Sequence, residues 1–219
     1  MALADILLAL EQDLDSQSNH FIGLTAVKTF ASSSDFSFLD ECMLEGLLSR
    51  VWQTWNNFCR SCLIESCVGT TDGNGVPVAG LADAVSEAHV SGAAIVAKKT
   101  PAGPFWGSPN TILRVEPTWG DIDVLVKLLT RLSPNNAAQM LAGFSSGHLD
   151  AKAIQLIRNA AAHNHAQNMA EVLTLRSSYI VFPITHPIHA LFWTEPASRD
   201  FLVTQAINQL RTAAITAIF

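Results

Sequence analysis

Charge is what this sequence has least of. Asp, Glu, Lys and Arg make up 15% of it, against about 25% in an average globular protein. A surface so poor in charge leaves apolar area unscreened, which predicts self-association. Long apolar runs are missing too. The first ten residues are mostly apolar, but they include Asp5 and carry no Lys or Arg. That fits neither a signal peptide, which starts positive, nor a membrane span, which needs about 18 uninterrupted apolar residues. A soluble, cytoplasmic chain with no membrane partner is expected. Cysteines are few: Cys42, Cys59, Cys62 and Cys67 share one stretch that reads largely as helix. This suits reduced core thiols and excludes a disulfide framework. A phosphate loop is excluded because no Gly-Lys-Ser/Thr follows the glycines at 69, 73, 75 and 80, which read as a solvent loop.

What is present is core-forming material. Apolar residues make up 49% of 219 residues, enough for one large domain or a helical domain with an insertion. The net charge is −6 and unevenly spread. Residues 1–89 hold three Lys/Arg against twelve Asp/Glu, whereas residues 90–176 hold eight against five. A relatively basic middle is compatible with a local phosphate site but not with a long DNA-binding groove.

Periodicity predicts an all-α protein. Leu3, Ile6, Leu7, Leu10 and Leu14 mark a helix over 2–17, ended by a polar break at 16–19, with a short helix or loop over 21–30. The longest candidate spans 37–68, with Leu39, Met43, Leu47, Val51, Trp55, Phe58 and Cys62 on one stripe. Residues 69–80 read as an exposed loop and 81–90 as a short helix. Between about 93 and 118 the character changes. Two short strands, 93–97 and 111–115, flank a stretch rich in Pro and Gly, which predicts a small hairpin or loop insertion. Helices resume over 121–132 and 134–143, run long from Asp150 to about Leu175, and return over 197–218. This divides the chain into an N-terminal helical extension (1–36) and a helical domain (37–219) carrying the insertion.

Chemistry concentrates in Ile157-Arg158-Asn159-Ala160-Ala161-Ala162-His163-Asn164-His165-Ala166-Gln167-Asn168. Alanine spacers keep a helix helical and remove steric cover from its polar neighbours. Asn159 and His163 are four apart and share a face. Arg158 and His163 are five apart, about 140° around an ideal helix. Either the helix is irregular near Arg158, or a second copy completes the site across a two-fold axis.

Arg158 and Asn159, followed after three alanines by His163, resemble the signature of the HEPN superfamily, a group of helical domains many of which are ribonucleases. The resemblance rests on this motif and on the helical layout over roughly 37–175. It implies a metal-independent endoribonuclease without a cofactor, acting on RNA as a homodimer with a composite active site. Arg158, Asn159 and His163 would be its catalytic residues. It further implies a toxin or antiphage role, with an antitoxin or regulatory partner to restrain it. The residue types allow the chemistry. An imidazole titrates near pH ~6.5 and can move a proton, a guanidinium can hold phosphate oxygens as charge builds, and the RNA 2′-hydroxyl supplies the nucleophile. Weaker candidates for substrate contact are Lys98, Lys99 and Trp106, where charge lies beside rings, and Glu45, which could orient Arg158. The plain reading of Lys98, Lys99 and Trp106 is a hairpin tip packing its aromatics on the body. The leading alternative is a HEPN-like module that binds nucleotide or RNA, or assembles, without cutting. A zinc site built on His163-x-His165 and His186-x-x-His189 is disfavoured because residues two apart on a helix diverge. Cys59-x-x-Cys62 reads as core thiols.

Overall fold

The computed structural model describes all residues of the chain except Ala102, Pro104 and Asn164. Pro104 in the expected insertion and Asn164 in the polar stretch therefore lie outside the described residues. The architecture is all-α, with one small hairpin. No helix among the described residues is long and apolar enough to cross a membrane.

The chain opens with α1 (Leu3–Val27), 25 residues without interruption. The polar break expected at 16–19 does not occur. Gln17 is buried and donates from its side chain to Thr54 Oγ1 at 2.8 Å, and His20 Nδ1 lies 2.7 Å from the carbonyl of Ser16. These polar groups find partners with the helix intact, so they have no need to end it. Next comes α2 (Phe38–Val68), 31 residues long. Its buried stripe differs at the start from the one expected. Leu44, Leu48, Val51, Trp55, Phe58 and Cys62 are buried, whereas Leu39 and Met43 are exposed.

The hairpin follows at once and sits in the segment read as a loop. Strands β1 (Thr70–Thr71) and β2 (Pro77–Val78) pair antiparallel, Thr70 opposite Val78. Asp72 Oδ1 accepts the amides of Asn74 and Val76 at 2.9 and 2.8 Å, and Gly75 takes a φ of 78° that L side chains avoid.

Helix α3 (Glu87–Lys99) corrects the expected strand at 93–97. Five apolar residues fit either a strand or a buried helical turn. Here the flanks decide: Glu87 lies in the first turn, Lys98 and Lys99 in the last, and alanines fill the buried face. The second expected strand, 111–115, is also absent. Leu113–Val115 form a single 3-10 turn, and no strand occurs among the described residues of 100–118.

The remaining helices are α4 (Ile122–Leu132), α5 (Ala137–Ser146), α6 (His148–Ala162), α7 (Ala166–Thr174) and α8 (Leu202–Ile218). Asp121 caps α4 by accepting from the amides of Asp123 and Val124. The long helix expected from Asp150 to Leu175 is broken between α6 and α7.

Two compact units share these elements. The first comprises Met1–Glu11, Trp55–His148 and Arg211–Phe219. Its core stacks Trp55 on Phe58 and meets Phe144 of α5 edge-on. Trp55 Nε1 donates to the Gly120 carbonyl at 3.1 Å, and Gly143 of α5 lies against the backbone of Ala217 in α8. The second comprises Gln12–Thr54 and Leu149–Leu210. Its core gathers the buried rings Phe21, Phe30 and Phe192 with the half-buried Phe36 and Phe201, and Leu44, Leu48, Ile154, Ile157 and Val172 are buried.

Candidate active site at the end of helix α6

The buried positions of α6 are Ala151, Ala153, Ile154, Ile157 and Ala160. Ile157 and Ala160 anchor the last turn and leave Arg158 and Asn159 on its half-buried flank. The two touch: Arg158 Nη1 donates to Asn159 Oδ1 at 3.2 Å. His163 follows the last helical residue. Its amide still reaches the Asn159 carbonyl at 2.9 Å, so it continues the helical path for one more step, and its side chain is exposed.

The backbone turns sharply at His163. Its carbonyl accepts from the His165 amide at 2.6 Å and from Asn168 Nδ2 at 3.0 Å. Asn168 lies in the first turn of α7, so one side chain ties the start of α7 to the end of α6. A side-chain amide that takes a backbone carbonyl competes with the helical ladder for it. That competition, beside the poor helix formers His163 and His165, accounts for the break.

Around the helix axis Asn159 lies about 100° from Arg158 and His163 about 140° from it. Asn159 thus stands between the other two, one turn below the imidazole. Its hydrogen bond draws the guanidinium toward the face that His163 shares. Of the two arrangements left open, an irregular helix near Arg158 is not seen: α6 runs through it to Ala162. The site combines a fixed positive charge, an amide and an exposed imidazole at an open helix end. That set can hold an anion and exchange a proton.

The weaker candidates stand elsewhere. Glu45 does not meet Arg158; its partner is His186, with Nε2 at 3.3 Å. Lys98 and Lys99 are exposed in the last turn of α3, and Trp106 is half-buried beside the buried Phe105. These three belong to the first compact unit, the α6 motif to the second.

No group of three or more His, Cys, Asp or Glu able to hold a metal ion occurs among the described residues. Cys59, Cys62 and Cys67 are buried free thiols, pushed up from their ordinary value chiefly by burial. Sequence reasoning missed Asn168 as the clamp on His163. It also missed two Glu–His pairs: Glu45 with His186, and Glu41 with His189 at 2.9 Å. The signal was present in carboxylates four apart on α2 and imidazoles three apart near 187.

No family model, curated protein or solved structure matches this chain.

Proposed function

We propose that the protein is a metal-independent endoribonuclease whose reaction is carried by Arg158, Asn159 and His163. One observation supports this above the others. Arg158 is hydrogen-bonded to Asn159, and Asn159 shares a helix face with the exposed His163. In the proposed reaction the RNA 2′-hydroxyl attacks its neighbouring phosphorus. His163 takes or returns the proton, Arg158 holds the non-bridging oxygens as charge accumulates, and Asn159 orients the guanidinium. The P–O5′ bond breaks, leaving a 2′,3′-cyclic phosphate and a 5′-hydroxyl. DNA lacks the nucleophile and is left intact. A second copy of the chain completes the site, its Arg158 facing this chain's His163. An unrestrained nuclease harms its host, so the role proposed is a toxin or antiphage effector held by an inhibitor or trigger.

The experiment is an RNA cleavage assay in excess chelator. Wild type is expected to cut and to leave cyclic phosphate ends. His163→Ala and Arg158→Ala are expected to lose about 10²–10⁴-fold in rate. A substrate with 2′-deoxy sugars at the cut positions should survive. Cleavage that stops in chelator, or that persists undiminished in both variants, overturns the proposal. A chain that dimerises and binds RNA without cutting it is instead a binding or assembly module.

A further inference from the structure

The second compact unit holds a cluster that the α6 site does not use. Glu41 and Glu45 stand one turn apart on α2, and each meets an imidazole of the segment around the 3-10 turn Pro187–Phe192. His186 precedes the turn and accepts the Ile188 amide on Nδ1 at 3.3 Å. Its Nε2 faces Glu45 at 3.3 Å. His189 lies inside the turn. It is 0% exposed, its ring stacks on Phe36 with centroids 3.9 Å apart, and its Nε2 faces Glu41. Its Nδ1 is buried with no hydrogen-bond partner. A second proton on this ring would be an N–H buried without an acceptor, which is costly.

The groups facing His189 are of both signs. Glu41 approaches from α2, and His186 lies 5.8 Å away ring to ring on the same segment. Glu45 is taken up by His186. Lys28, just past α1, pairs with Asp40 in the first turn of α2. Around the turn Phe36 and Phe192 are in contact with Phe30 beside both, and α7, whose one charged residue is Glu171, also packs against the turn.

We propose that the Pro187–Phe192 turn is a proton-operated latch: it closes on α2 while His189 is neutral, and acidification releases it locally, uncovering the Phe36–Phe192 ring cluster. Burial holds the imidazole below its ordinary value of 6.5; Glu41 pulls it back in part, and His186 adds to the depression. Below that ordinary value an open turn takes up a proton that the closed turn refuses. Closure is therefore complete above pH 6.5 and weakens as pH falls toward the depressed value. This device does not depend on whether the α6 site cuts RNA.

The test is hydrogen exchange on the full chain between pH 7.5 and 5, expressed as protection relative to the intrinsic rate at each pH. The reporters are the amides of Ile188, His189 and Trp193. In wild type their protection is expected to fall about tenfold per pH unit below the ordinary imidazole range, while amides of α8 stay protected. His189→Gln keeps a donor for Glu41 and cannot titrate, so its protection should be flat with pH. Should that variant not fold, the imidazole resonances of wild type decide. His189 protonating while the turn stays protected overturns the latch. Unchanged wild-type protection, simultaneous loss throughout the chain, or a pH-dependent loss that survives in a folded His189→Gln overturns it as well.

Discussion

Two carboxylates show how a single residue's surroundings set its worth. Glu116 is nearly buried, with its side chain 8% exposed, yet four donors surround it. Arg60 gives two hydrogen bonds at 2.7 and 2.8 Å, Ser91 Oγ one at 2.5 Å and Trp119 Nε1 one at 3.0 Å. Burial pulls its carboxyl up, but Arg60, Ser91 and Trp119 outweigh that and leave it below its ordinary value. Its contribution to stability is thus present above the usual carboxylate range and lost as pH falls through the depressed value. Glu116→Ala removes the acceptor of Trp119 Nε1 and Ser91 Oγ and leaves Arg60 with Glu87 alone. It is expected to cost about 3 kcal/mol, read as a lower urea midpoint. Asp150 is the opposite case. Burial pushes it up to about 6, and the nearby Tyr179 phenol is pushed up to about 12 by burial first and then by the charges of Asp150 and Glu195. With the folded value above the unfolded 3.8, Asp150 favours the fold only while protonated, and that favour fades as pH rises through about 6. Asp150→Asn should raise the Tm at pH 7.5, and the gain should vanish below about pH 4.

At the scale of elements, close approach of backbones matters more than side-chain size. A Cβ on Gly143 would lie 2.3 Å from the amide nitrogen of Ala217. The obstacle is helix backbone, so it cannot swing aside. Gly143→Ala is expected to cost about 3 kcal/mol by chemical denaturation, despite alanine's better helix propensity. The reading from sequence succeeded where one period was unambiguous. α4 runs from its Asp121 cap to Leu132 as expected, and the last helix, expected over 197–218, is α8, with Leu202, Ala206, Ile207, Leu210, Ala214 and Ile218 buried. It failed where two answers were equally periodic. On α2 the rows Leu39-Met43-Leu47 and Leu44-Leu48 both lead into Val51, and nothing local tells which row is covered. Partners distant in sequence were invisible as well: Gln17 with Thr54 carries α1 through its polar stretch. For the α6 site the residues were legible, since Arg158, Asn159 and His163 are adjacent in sequence. The turn at His163 was not, because it depends on Asn168 reaching back to a carbonyl.

For the whole molecule, the proposed active site needs two chains, and this gives a test that single variants cannot. Arg158→Ala and His163→Ala each spoil every site in their own homodimer. Mixed and allowed to exchange, they form heterodimers in which one of the two composite sites is whole. The mixture should recover about a quarter of wild-type activity. A mixture as inactive as its components would confine the site to one chain.

The cysteines offer a different use of the fold. Cys42 is exposed on α2, whereas Cys59, Cys62 and Cys67 are sealed in the first compact unit and held as unreactive thiols by burial. The chain therefore carries its own stoichiometric gauge of integrity. An aromatic disulfide reagent consumes a single equivalent from the native protein, and three further equivalents become available only as that core comes apart.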